Sequence, residues 1–355
     1  MMLSWTKRIL ITLLAVWVLA GAGCSAMLLH SEKRSLLVYE SFPTRDRIVN
    51  WVVDMDTGEK WQVGNPQMEA GGWSPSGKYM LFYSFEPRTV IQIADAMGKG
   101  VRQIFDEQDY PDVEVKGMCW LAGDVLLLRT YDHRQRIEQV RTLDIHTGAF
   151  DVLAEGAIMQ CPSRYGGKIW LHATVEGDEL KYVLMNREGE RVPVPVEDSL
   201  FHKYFFSPDG KQWAYFCDKG KGKTTYAICL ANVNMDGVSN KRVLIRETLP
   251  PDVLPNLRGM WWAPDGKYIG IHIFNTVSEE HQFHVIDVSS GKVVISKLFP
   301  TRTRWDLWSP RGEEVMDQDG VWLDLQTGEV RNFFDEVDET ARSYIVDWRL
   351  IEVSK

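Results

Sequence analysis

The chain has 355 residues, 45% of them hydrophobic, and a formal net charge of −9. That charge becomes more negative once residues 1–23, whose only charged side chains are Lys7 and Arg8, are set aside. An acidic chain offers no basic face to displace counterions, which excludes nucleic-acid binding and non-specific adhesion to anionic lipid as main functions.

In chain order, Lys7 and Arg8 precede an apolar run over residues 9–19, which leads into Ala20-Gly-Ala-Gly-Cys24. This is the charged, apolar and small-residue layout of a secretory signal. The cysteine directly after the small residues resembles a bacterial lipoprotein processing site, which implies removal of residues 1–23 and lipidation of Cys24. The other reading is an uncleaved anchor, because residues 9–29 are long and apolar enough to cross a bilayer. Both readings place the rest outside the cytoplasm, with residues 24–34 as tether and 35–355 as the folded domain. Four further cysteines then lie where disulfides persist. Cys217 and Cys229 flank the Gly- and Lys-rich stretch 218–224 and would face each other across a hairpin, as a disulfide or as two buried thiols. Cys119 and Cys161, at nearly equivalent positions of consecutive repeats, are the less favoured pair.

From residue 73 onward one phrase recurs: Trp73-Ser-Pro-Ser-Gly-Lys78, Phe206-Ser-Pro-Asp-Gly-Lys211, Trp262-Ala-Pro-Asp-Gly-Lys267 and Trp308-Ser-Pro-Arg-Gly312. Pro fixes φ at the first corner and Gly accepts a positive φ at the last, so the chain reverses tightly. An apolar run follows the turn, as in Tyr79-Met-Leu-Phe-Tyr83. The opening position can be read at Trp73, Trp120, Cys161, Phe206, Trp262, Trp308 and Trp348. A second punctuation, Asp or Asn with Gly three or four residues later, starts at residues 54, 95, 144, 186, 234, 287 and 324. Each marks a turn between the third and fourth strands of a repeat. The first repeat lacks an innermost strand, and Tyr344-Ile-Val-Asp-Trp348 is such a strand with nothing after it. The pattern predicts an all-β fold: a seven-bladed β-propeller of four-stranded antiparallel blades, the first blade closed by the C-terminal strand. Helical periodicity is confined to a turn or two around residues 335–340.

The phrase Ser-Pro-Asp-Gly-Lys before an apolar strand, best preserved at 206–217 and 262–273, resembles the repeat of TolB-like, WD-type propellers. It is also similar to the propellers of prolyl oligopeptidases and dipeptidyl peptidases. The resemblance spans 35–355 and implies a six- or seven-bladed ring. With an export signal, it implies a periplasmic protein that binds other envelope proteins. Oligogalacturonate lyases resemble this repeat in fold and imply the enzymatic alternative, a metal held by histidines around the ring.

No Gly-X-Ser-X-Gly occurs, and Ser74, Ser207 and Ser309 lie inside the turn phrase, where their hydroxyls are expected to cap the turn. The candidate metal ligands are His133, His146, His172, His202, His272, His281 and His284. Counted from their turns, His172 and His272 fall on opposite sheet faces, and His281 and His284 diverge. No metal, cofactor or catalytic residue is therefore expected. Periodic residues maintain the blade, so binding is sought where the pattern breaks. The breaks are residues 131–136 with His133, Arg134 and Arg136, the loop with Lys219, Lys221 and Lys223, and residues 249–258. The expected function is a monomeric, non-catalytic scaffold, lipid-anchored on the extracytoplasmic side of a bacterial membrane. Its partner would be an envelope protein, peptide or glycan. The alternatives are a metal-dependent carbohydrate-active enzyme and a small-ligand sensor using the central funnel.

Overall fold

The computed structural model describes residues 31–44, 47–163, 165–176, 179–194, 204–218, 225–248, 253–254, 259–275, 281–299, 305–337 and 342–354. They form seven antiparallel sheets, the blades of a propeller, each running outward from the axis. Blade 1 is ordered Arg342–Ser354, Ser31–Thr44, Arg47–Asp54 and Lys60–Val63. The C-terminal strand is thus its innermost member, paired with the N-terminal strand from Ser31↔Ser354 to Phe42↔Arg342. The N-terminal strand starts at Ser31, inside the stretch read from the sequence as tether. Blade 6 departs from the four-strand pattern, since its inner edge is split into Val253–Leu254 and Met260–Trp262, both paired with Tyr268–Asn275. One helical turn, Phe333–Glu336, precedes the closing strand. No helix among the described residues is long and apolar enough to cross a membrane.

The turn phrase does what its residue types dictate. Gly77, Gly210, Gly266 and Gly312 all have φ between 70° and 76°. Their amides donate to the carbonyls of Ser74, Ser207, Ala263 and Ser309 at 2.8–2.9 Å. The serine hydroxyls close the turn from the other side, accepting from the amides of Tyr79, Gln212 and Glu314. At the second punctuation, the carboxylates of Asp54, Asp95, Asp144, Asp287 and Asp324 accept amides of their own turns. These are Asx turns, in which the side chain satisfies a backbone donor of the turn.

Among the described residues no blade has a core of its own. Successive side chains of a strand point to opposite sheet faces, so each blade contributes to two cores, one with each neighbour. Leu36 and Val38 pack with Trp73, Met80 and Phe82 of blade 2, whereas Leu37 and Tyr39 pack with Met316, Trp322 and Phe333 of blade 7. Five other junctions complete the count of seven cores for seven blades. Burial on both faces explains why the strands read as continuous apolar runs rather than alternating ones. The aromatic opening residues fill the junctions: Trp73, Trp308 and Trp348 are at most 2% exposed. Trp262 also donates its indole N–H to the Phe205 carbonyl of blade 5 at 2.9 Å.

Two disulfides fasten the ring. Cys217 joins Cys229 across the second and third strands of blade 5, and Cys119 joins Cys161 between the inner edges of blades 3 and 4. The second pair is close because inner strands converge on the axis, with a Cα–Cα separation of 6.2 Å. Loop-closure entropy assigns the two bonds about 3 and 4 kcal/mol. Reduction should therefore lower the melting temperature, and Cys119→Ser with Cys161→Ser should lower it further than Cys217→Ser with Cys229→Ser. A chain lacking residues 344–355 should lose its cooperative transition in near-ultraviolet circular dichroism. An equally sharp transition in that chain would contradict closure by these residues.

Candidate functional site: the loop face of blades 2 and 3

Because strand directions alternate, the first-to-second and third-to-fourth turns all lie on one face of the ring, the turn face. The second-to-third loops and the connections between blades lie on the other, the loop face. The turn face is built from repeated turns, whereas residues 131–136, the break that the described residues contain whole, lie on the loop face.

Tyr131–Arg136 leaves the second strand of blade 3, Val125–Asp132, and enters the third, Ile137–Asp144. Its backbone is fixed at three points. The His133 amide donates to the Asp112 carbonyl at 2.7 Å, and the Arg136 amide to the Asp132 carbonyl at 2.7 Å. The Gln135 amide donates to the Asp132 carboxylate at 2.8 Å. Arg136 has φ of 59°, a left-handed conformation that these bonds hold. The side chains reach the preceding blade connection and the first strand of blade 3: Arg134 pairs with Asp112 at 2.8 Å and His133 with Glu114 at 3.4 Å. Lys116 also bonds Glu114. Arg134 nevertheless remains 78% exposed.

The adjacent loop of blade 2 continues this surface. Arg88 pairs with Asp106 at 3.0 Å and donates to Gln108 at 2.7 Å. Phe85 rests against Tyr83 with ring centroids 5.0 Å apart and stays 40% exposed. An exposed aromatic beside charged groups held by intramolecular bonds is pre-organised for contact, so little ordering entropy opposes docking. The lysine loop with Lys219, Lys221 and Lys223 lies outside the described residues, as do Cys24, His202 and most of 249–258.

At the seam of blades 1 and 2, Glu40 is buried and accepts the Ala70 amide at 2.6 Å. Burial, with the neighbouring Glu69 charge, raises its pKa to about 7 against the opposing amide bond. Directly across the ladder stands Asn50, whose Nδ2 donates to the Met68 carbonyl. Asn50 Oδ1 has no partner among the described residues. Sequence reading missed this pair because its burial is created by the next blade.

The histidines are distributed rather than gathered. His146 lies at a turn of blade 3, its ring edge-on to Tyr79. His172 bonds the Glu155 carbonyl at 2.8 Å, and burial holds its pKa below the ordinary imidazole value. His272 and His281, on paired strands of blade 6, stack with centroids 4.6 Å apart and share a hydrogen bond of 2.6 Å. His284 points to the opposite sheet face, 3.7 Å from Glu247, which in turn accepts the Tyr226 hydroxyl at 2.6 Å. Burial lowers the His284 pKa more than Glu247 raises it. Among the described residues no three His, Cys, Asp or Glu side chains form a metal-ligating group.

Near the axis, a cleft of about 210 Å³ lies between the inner edges of blades 4, 5 and 6, lined by Tyr165, Phe205, Phe206, Trp261 and Trp262. The Arg349 guanidinium sits 5.2 Å over the Tyr165 ring while bonding Asp347 and the Ser74 carbonyl. These contacts tie the closing strand to blades 2 and 4.

The sequence matches no protein-family model and no curated protein. Solved structures share the fold at low identity. An uncharacterized Listeria monocytogenes protein aligns with a TM-score of 0.53 at 10% identity, over 86% of this chain and 94% of that one. Oligogalacturonate lyase from Vibrio parahaemolyticus aligns with a TM-score of 0.50 at 12% identity, over 84% and 86%. TolB from Acinetobacter baumannii aligns with a TM-score of 0.44 at 13% identity, over 88% and 81%. The first two likenesses show a propeller architecture.

The raised pKa of Glu40 has a defined consequence for stability. Its folded state binds a proton more tightly than the unfolded chain, so stability is full below pH 4.5 and falls as pH rises through 7. Glu40→Gln keeps the amide acceptor and removes the charge. It should stabilise the protein by up to about 3 kcal/mol at pH 8 and by nothing measurable at pH 4. Paired urea titrations at the two pH values measure the difference.

Proposed function

We propose that this chain is an extracytoplasmic, membrane-tethered propeller that serves as a non-catalytic binding scaffold for an envelope protein, peptide or glycan. The observation that carries this reading is the loop face of blades 2 and 3. There the repeat pattern breaks, the backbone is locked by its own hydrogen bonds, and Arg134 and Phe85 remain open to a partner. His172, His272, His281 and His284 support the same reading, because their contacts are internal to the blades or their junctions. Tethering through residues 1–24 would concentrate the scaffold at the membrane, and two or more acyl chains on Cys24 would hold it firmly.

The test is recovery of a partner from detergent-solubilised membranes by the full-length protein and by Arg134→Glu with Phe85→Ser. The parent should recover a stoichiometric partner, and the double variant, melting within a few degrees of it, should recover at least about tenfold less. Equal recovery by a folded variant would remove this face from the account. One tightly held transition metal per purified chain would favour the metal-dependent enzyme instead.

A further inference from the structure

We infer that the turn face lies against the lipid bilayer that anchors the chain, so that the loop face points away from it. This rests on the tethered reading above and adds the orientation of the ring to it. The N-terminal strand is the second strand of blade 1, and its first residue pairs with Ser354 at the far end of the closing strand. Its pairing with the third strand begins only at Leu36↔Asp54, where that strand enters its turn. Residues 31–35 and 350–354 therefore continue past the turn as a two-stranded ribbon on the turn face. Ile351 is buried in the blade 1–blade 2 core, and Gly77 of the blade 2 turn lies against it, so the ribbon rests on that face. Its exit is clamped by the Arg34 guanidinium on Asp54 at 3.2 Å and by the Ser35 amide on Asp56 at 3.1 Å.

Chain length does the rest. If Cys24 is lipidated, residues 24–30 are all that separates the bilayer from Ser31, a reach of at most about 25 Å. If residues 9–29 stay as an anchor, a single residue separates them. The eight-residue strand Arg47–Asp54 alone spans about 26 Å of ring thickness. To lay the loop face on the membrane, the tether would have to cross that thickness and pass round the rim as well. Neither form of the tether is long enough.

The full-length protein in phosphatidylcholine vesicles carrying headgroup nitroxides tests this. A fluorophore is placed through Lys78→Cys or Lys211→Cys on the turn face, and through Glu86→Cys or Gln135→Cys on the loop face. The unsubstituted protein gives the labelling blank. Quenching at 78 and 211 should exceed that at 86 and 135 by at least about threefold, given an offset near 26 Å. Equal quenching on both faces, or stronger quenching at 86 and 135, would overturn the orientation while leaving the tether in place. Release of the protein from vesicles by alkaline carbonate would instead remove the tether, and the orientation with it.

Discussion

Every hydrophobic core of this protein is shared between two blades, and that single constraint governs the rest. A strand whose two faces are both apolar cannot be satisfied within its own sheet, so each blade requires a neighbour on either side. Only a closed ring gives every blade two neighbours. The pairing of Ser31–Thr44 with Arg342–Ser354 supplies the closure, and the core of Leu37, Tyr39, Trp322, Phe333 and Trp348 seals it. Closure also places both ends of the described chain on one face, on which the proposed orientation rests.

The parts of the fold legible in the sequence are those set by local backbone chemistry. Pro-X-Gly turns and Asx turns need only their own residues, so the blade count follows from two independent punctuations. Trp120 and Cys161 could be placed although their turns are degraded, because the second punctuation at Asp144 and Asn186 kept the spacing. The less legible parts depend on how blades meet. Cys119 and Cys161 come within bonding distance because inner strands converge on the axis, a property of the ring and not of either repeat. Glu40 gains its buried environment from Ala70, thirty residues away in the next blade. His272 and His281 meet through a diagonal of the blade 6 ladder, in which His272 pairs with Phe283 and Phe274 with His281. That register could not be counted from the sequence across residues 276–280.

The candidate site shows the same division. The breaks at 131–136 mark where the repeat is relaxed, which is visible in the sequence. That the loop is held in place is not, since part of its bonding comes from Asp112 on the connection from blade 2 and from Glu114 in the first strand of blade 3. In the proposed function, a ring with a regular face toward its anchor and an irregular face outward would divide structural and binding duties between two surfaces.

Hydrogen exchange of the native protein, resolved to peptides, tests the shared-core ring most directly. If closure and the inter-blade cores form one cooperative unit, amides of the strand pair 36–41 and 344–350 exchange only through global unfolding. Their protection should then equal that of the central strands of blades 2, 3 and 5. Exchange of the closing strand orders of magnitude faster than those strands would mean that the ring stands without its closure, contradicting the account.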